Sequence, residues 1–236
     1  MRGRSQLIGI IGAMDEEVAY LLSKMTEYKE VEIANCHFYH GIINEKEVVL
    51  LKSGIGKANA AMATTILHER FAPQYVINTG SAGGISDQLE IGDVVISDQI
   101  IHHDVDVTAF DYKMGQVPGM PATFKTDDKL TEMAHEIMKE HNIPAVTGWI
   151  ATGDSFLNDM DAVKRNKKLF PNVIANEMEA AAIAQVCFHY GTPYIVIRAL
   201  SDIAGKESSV SFDAFLKRAA NNSSTFILSM IDKLEI

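Results

Sequence analysis

Apolar, β-branched runs alternate along the chain with segments whose apolar residues recur at helical spacing. The pattern predicts a short buried strand over residues 7–11 that ends at Gly12. A helix follows over 16–24, with Val18, Leu21 and Leu22 on one face. Residues 38–43 and 47–51 read as a hairpin around Asn44, Glu45 and Lys46. An alanine-rich helix over 57–71 opens at Gly56. A strand over 75–78 runs into Thr79-Gly80-Ser81-Ala82-Gly83-Gly84, and another spans 93–101. Beyond these come a helix over 130–141, a strand over 146–152, an apolar helix over 179–190, a strand over 194–200 and a long closing helix over 212–234.

Strands that alternate with helices pair in parallel through right-handed crossovers. The early hairpin makes the sheet mixed. No internal repeat, low-complexity tract or linker divides the 236 residues, which suffice for one α/β domain and are too few for two generous ones. The expected architecture is a single three-layer α/β/α sandwich, residues 6–236, on a central mixed, mostly parallel sheet.

Composition narrows the partners. A formal net charge of −10 gives the chain no electrostatic grip on a phosphate backbone, so nucleic acid is not expected. Cys36 and Cys187 are the only cysteines. They form neither a C-x-x-C nor a spaced ligand set, which suggests no disulfide framework and no zinc site and fits a reducing cytoplasm. No apolar run approaches the ~20 residues of a membrane span. Met1 to Ser5 are basic, but Asp15, Glu16 and Glu17 soon interrupt the apolar stretch behind them. No signal peptide is expected, and these five residues read as a ragged start outside the fold.

Ligands of such folds sit beyond the carboxyl ends of the strands, and four strand ends carry unusual groups. Asp15 and Glu16 suit a first helical turn, where acidic side chains complement the helix dipole. Glu17 could cap in the same way or face a crevice. Gly80-Ser81-Ala82-Gly83-Gly84 matches neither a dinucleotide fingerprint nor a phosphate loop and, taken alone, reads as a tight turn. Glu177 and Glu179 lead into a nearly all-apolar helix, either as charges at its N-terminus or as buried groups that hold a ligand. Arg198 and Ser201-Asp202 close a buried strand. His102 and His103 adjoin Asp104 and Asp106, but neighbouring histidines on extended chain point to opposite faces, so a metal site is not expected. Lys164, Arg165, Lys167 and Lys168 read as a solvated helix face, and the eleven methionines as packing.

Together these segments resemble one family. Ile8-Gly9-Ile10-Ile11-Gly12-Ala13-Met14-Asp15-Glu16-Glu17-Val18, Ser53-Gly54-Ile55-Gly56-Lys57 and Asn78 to Gly84 are similar to motifs of the bacterial 5′-methylthioadenosine/S-adenosylhomocysteine nucleosidases, which have the nucleoside phosphorylase fold. So are His103 to Phe110, Gly153-Asp154-Ser155-Phe156, Glu177-Met178-Glu179-Ala180 and Ser201-Asp202, in the same order. The resemblance runs from about Leu7 to the last helix and implies hydrolysis of the bond between adenine and a 5′-thio-substituted ribose, without a cofactor or metal. It implies that Asp202 protonates adenine N7, with Ser201 orienting it. Glu17 activates a water that Arg198 and Ser81 help to place. Glu179 holds the ribose hydroxyls, Glu177 belongs to the same substrate-binding set, and Met178 packs under the sugar. Phe156 stacks on adenine and the backbone of Leu157 reads its edge. Met14, Ile55 and Phe212 wall the 5′-thio pocket. Val107, Phe110, Tyr112 and Pro118 complete it from a second subunit, so a homodimer is implied.

Two positions depart from the family pattern. Leu157 replaces an isoleucine, and Asn176 stands where a small aliphatic residue is usual; nothing in the sequence accounts for the latter. Two other readings remain: a phosphate-dependent nucleoside phosphorylase of the same fold, and a non-catalytic purine-binding protein. Phosphorylases that resemble this fold carry arginines in the loop after the first strand and just before the Gly-Ser segment. Here the loop is Gly12 to Glu17, and the second position is Asn78.

Overall fold

The apolar runs pair into one mixed sheet with helices on both faces. A computed structural model describes residues 7–86, 88–140, 144–204 and 208–235; the five residues read as a ragged start lie outside them. The strands are β1 (Leu7–Gly12), β2 (Thr26–Ile33), β3 (Cys36–Ile43), β4 (Lys46–Lys52), β5 (Tyr75–Gly84), β6 (Val94–His102), β7 (Phe124–Lys125), β8 (Ala145–Thr152), β9 (Val173–Glu177) and β10 (Tyr194–Ile203). The helices are α1 (Asp15–Leu22), α2 (Lys57–Phe71), α3 (Asp128–Glu140), α4 (Met160–Leu169), α5 (Ala180–Tyr190) and α6 (Ser208–Lys233).

The strand order is β10-β6-β8-β9-β5-β1-β4-β3-β2, with β7 added to β6. A further pairing of β10 with β5 closes β5, β9, β8, β6 and β10 into a ring, from which β1, β4, β3 and β2 extend as an open wing. The ring brings in the antiparallel pairs β5–β9 and β6–β10. Five of the ten pairings among the described strands are parallel, and they include the two longest, β5–β10 and β6–β8.

Helices α2 and α5 cover one face. Ala60, Ala63, Leu67, Ala181 and Ile183 pack there on Leu51, Val76 and Val196. Helices α1, α3 and α6 cover the other, with Val18, Leu21, Ile137 and Phe226 on Ile8, Ile10 and Ile195. Each large apolar side chain fully buried in this way contributes about 1.5–3 kcal/mol. That large apolar store lets the fold carry the buried charges of its site. The β3–β4 hairpin turns at Asn44 and Glu45, both with positive φ (46° and 65°), the backbone of a type I′ turn.

Three strands escape the sequence pattern. Nearly all of β2 is exposed, so it shows no apolar alternation, and among the described strands it pairs only with β3. Strands β7 and β9 are short. The tight turn expected at residues 80–84 is absent, because β5 runs straight through it as a buried strand. Its glycines answer a need for space. A Cβ on Gly80 (φ +141°) would sit 2.3 Å from Arg198 Nη1 and 2.6 Å from Glu17 Oε1.

The register of β5 determines where a ligand can enter. One edge pairs with β1 at Tyr75 to Asn78 and with β9 only at Gly83 and Gly84, so Thr79 to Ala82 face no strand there. The other edge follows β10 throughout, with a bulge between Leu200 and Asp202. A bulge re-aims the side chains beside it; this one lies at Ser201-Asp202.

Candidate active site

The gap in the β5 edge opens onto a cavity of about 330 Å³ in which the polar strand ends meet. Glu17, Ser81, Glu177, Glu179, Ser201 and Asp202 line it, with Met178. Met14, Ile55, Phe156 and Phe212 supply apolar wall, and the Phe156 and Phe212 rings meet edge to face at 5.9 Å. Leu157 borders a small adjoining recess together with Gly83, Asn176 and Asp202. Arg198 lies fully buried behind the wall. The structure does not bring Val107, Phe110, Tyr112 or Pro118 to the cavity of their own chain. They occupy the segment after β6, where Phe110 is 75% exposed.

Glu17 does what a strand would otherwise do. Its Oε1 accepts from the Ser81 N–H and from Ser81 Oγ, each at 2.9 Å, and so satisfies the open edge of β5. Its Oε2 accepts from the Ala13 N–H at 2.8 Å. Glu17 is buried, whereas Asp15 and Glu16 in the same helical turn are exposed. Asp15 pairs with Lys52 at 2.8 Å.

Both carboxylates before α5 border the cavity, but they are held differently. Glu177 is tied into the start of the helix. Its Oε2 accepts from the N–H groups of Glu179 (2.9 Å) and Ala180 (2.8 Å) at the start of the helix and from Arg198 Nη2 (2.5 Å), while Oε1 accepts from Thr152 Oγ1. Glu179 faces the cavity. Its Oε1 accepts from the Gly56 N–H at 2.9 Å and its Oε2 lies 3.4 Å from Arg198 Nη2.

Arg198 thus stands among three buried carboxylates, with Glu17 at 3.9 Å. Burying each ion costs several kcal/mol, which one guanidinium cannot fully offset for three partners. Burial would lower the pKa of Arg198, but Glu177, Glu179 and Glu17 outweigh it and hold the group charged. Desolvation pushes the Glu179 carboxyl up to about 8, and the charge of Glu177 adds to the rise. Burial likewise raises Asp202, against the hydrogen bond that its Oδ1 accepts from Ser201 Oγ at 2.9 Å. Its Oδ2 lies beside Gly83, where a Cβ would come within 3.0 Å.

Some residues of this network carry little signal in the sequence. Asn78, treated there only as a position without arginine, accepts from Arg198 Nη2 at 2.9 Å and donates to the Ile11 carbonyl at 2.9 Å. A lone amide at the end of an apolar strand is the one clue to it. Asp104 binds Lys57 Nζ at 2.6 Å and the Asp154 N–H at 3.0 Å, while Asp154 accepts from the Lys57 N–H at 2.8 Å. Three loops are tied together beside Glu179 by these bonds. His102 Nε2 turns to Gln185 Oε1 at 3.2 Å, and no group of three metal-ligating side chains occurs among the described residues.

The sequence and the fold of this chain have counterparts among known proteins. The sequence model of the phosphorylase superfamily matches residues 7–232. The 5′-methylthioadenosine/S-adenosylhomocysteine nucleosidase of Oceanobacillus iheyensis is 59% identical over 227 residues, which cover 96% of this chain and 99% of that protein. The crystal structure of the Neisseria meningitidis nucleosidase of the same name, in complex with methylthio-immucillin-A, superposes with a TM-score of 0.95 at 44% identity, covering 97% of this chain and all of that one. The Colwellia psychrerythraea nucleosidase, in complex with adenine, gives 0.94 at 48% identity, covering 98% and 96%. The chain belongs to the phosphorylase superfamily and, within it, to the 5′-methylthioadenosine/S-adenosylhomocysteine nucleosidases.

Proposed function

We propose that the chain hydrolyses the N-glycosidic bond of 5′-methylthioadenosine and S-adenosylhomocysteine, releasing adenine and a 5′-thio-substituted ribose; 5′-deoxyadenosine is a further substrate. The observation that carries this reading is the pair Glu17 and Asp202, which line one cavity in opposite chemical settings. Glu17 accepts from the Ser81 and Ala13 N–H groups, whereas burial raises the Asp202 carboxyl, which suits the first to act as base and the second as acid.

Breaking the bond builds positive charge on the ribose and negative charge on the leaving base. Asp202, kept protonated by burial, gives its proton to adenine N7, with Ser201 fixing the other carboxyl oxygen. Glu17, steadied by Ser81 and the Ala13 N–H, takes a proton from the attacking water. Glu179 accepts from the ribose hydroxyls, and Arg198 acts through Glu177 and Glu179 as a positioning residue. Phe156 and the Leu157 backbone take the base, Met178 the sugar, and Met14, Ile55 and Phe212 the 5′-thio group. Cys36 and Cys187, both buried free thiols, fit a cytoplasmic setting. Among the described residues no helix is long and apolar enough to cross a membrane.

Water rather than phosphate is the nucleophile in this reading. A phosphorylase holds a dianion beside the ribose with guanidinium forks. Here the Gly12 to Glu17 loop has no arginine, and Arg198 already donates to Glu177 and Asn78. Adenine release from 5′-methylthioadenosine is expected at the same rate with and without phosphate, with free 5′-thioribose as co-product. A rate that climbs in proportion to phosphate, or a ribose 1-phosphate product, would move the chain to the phosphorylases.

The second subunit enters on the α2–α5 face. Ala58 and Ala61 of α2, Ala182 and Val186 of α5, and Val105 and Val117 of the segment after β6 line a groove there. Met62, Phe110 and Phe188 are exposed apolar groups of the same three segments. A homodimer joined across residues 103–118 would bring Val107, Phe110, Tyr112 and Pro118 to the partner's cavity. Light scattering should give twice the chain mass, and a fully active monomer would refute this assembly.

A further inference from the structure

Asn176 departs from the pattern around it, and the mechanism above leaves it without a task. It sits in β9 directly opposite Gly83 of β5 in an antiparallel pair. Directly opposed residues send their side chains to the same face, with Cβ atoms about 4.5–5.5 Å apart. On that face the space left by the missing Cβ of Gly83 is taken by Asp202 Oδ2, the carboxyl oxygen not engaged by Ser201. The Asn176 side chain therefore leaves the sheet beside the oxygen that carries the proton for the base. It borders both the main cavity and the recess shared with Leu157 and Asp202.

Asn176 is 7% exposed. Both ends of its carboxamide are closed to solvent, and neither meets a hydrogen-bond partner among the described residues. A buried amide in that condition weakens the fold. Valine or alanine would fill a β position at less expense, so the amide calls for a partner that arrives from outside.

We propose that Asn176 is a base-recognition residue, whose carboxamide oxygen accepts a hydrogen bond from the amino group at C6 of the bound purine. The inference rests on the nucleosidase reading, which sets N7 against Asp202. Of the two ring neighbours of N7, C8 carries only a C–H bond and C5 leads to the group at C6. A polar side chain next to the N7 acid has that group as its nearest hydrogen-bonding neighbour on the same edge of the base. The contact adds specificity for a 6-aminopurine and helps to hold N7 on the proton.

A substrate–protein cycle tests the contact. kcat/KM is measured for 5′-methylthioadenosine and for its analogue with hydrogen in place of the 6-amino group, in wild type and in Asn176→Val. The variant should lose about tenfold on the amino substrate, the worth of one neutral hydrogen bond, chiefly through KM. It should lose almost nothing on the analogue, and its melting temperature without ligand should equal or exceed that of wild type. Calorimetric binding of free adenine and free purine to both proteins reads the same coupling without catalysis. If the nucleosidase reading fails, wild type releases no adenine in phosphate-free buffer; if only this inference fails, wild type works there and the coupling is absent. Asn176→Leu, an apolar isostere, replaces the valine variant should that one not fold. Equal losses on both substrates, or a lowered melting temperature with no coupling, would overturn the assignment and leave Asn176 a structural residue or a partner of Asp202 alone.

Discussion

Asp202→Asn should lower kcat for adenine release by about 10²–10⁴-fold, the usual worth of a general acid, while tight binding of adenine analogues persists. The amide keeps the shape of the carboxyl and can still accept from Ser201 Oγ, which holds Asp202 Oδ1 at 2.9 Å. It can also donate to N7, but it cannot give up a proton. The substitution therefore separates binding from chemistry, which truncation to alanine would not. It also alters the pH profile. Burial raises the pKa of Asp202, so the active, protonated form is full below that pKa and is lost as pH climbs through it. Wild type should lose kcat on the alkaline side, and the variant should lack that limb. If the limb survives, its source is Glu179, whose carboxyl is pushed up to about 8. Near-normal kcat in the purified variant would remove Asp202 from the role of acid.

The parts of this fold that stand out in the sequence are those whose burial is one-sided or total. β1 is buried at every position, and α2 begins at a positive-φ glycine and ends where Ala72 turns left-handed. Such segments announce themselves by apolar run and punctuation. The ring closure does not. It depends on β10 pairing with both β5 and β6, and a strand buried on two sides has the same composition whichever neighbours it chooses. The residues 80–84 illustrate the limit. Small residues show that something approaches the backbone, but only the fold reveals that it is Arg198, Glu17 and Asp202 rather than a turn.

The candidate site was legible as a set of ordered motifs, and the division of labour inside it was not. Glu177 and Glu179 are two residues apart and chemically identical. Both border the cavity, and that Glu177 caps α5 while Glu179 takes the Gly56 N–H is decided by where Thr152, Arg198 and Gly56 lie in space. Asn78 and the Asp104–Lys57–Asp154 bridge act through other residues, so no motif for direct chemistry marks them.

Glu17 and Glu16 offer the sharpest contrast between neighbours. Glu17→Gln should cut kcat by about 10²–10⁴-fold through loss of the base, and Glu16→Gln should turn over at about the wild-type rate. Both Glu17 oxygens accept from backbone N–H groups, Oε1 from Ser81 and Oε2 from Ala13. A glutamine in that place must turn its NH₂ toward one of those donors, whichever way the amide is set. One buried N–H then loses its acceptor, at about 1–3 kcal/mol, so this variant should also melt earlier. The activity loss must therefore be read on protein shown to be folded, at a temperature well below its transition. Glu16 is exposed at the start of α1 and serves the helix dipole, worth about 0.3–1 kcal/mol. Its amide variant should melt only slightly earlier and keep its chemistry. Should Glu16→Gln abolish turnover while Glu17→Gln spares it, the water-activating carboxylate would be the exposed residue, and the network built on Ser81, Ala13 and Arg198 would be scaffolding alone.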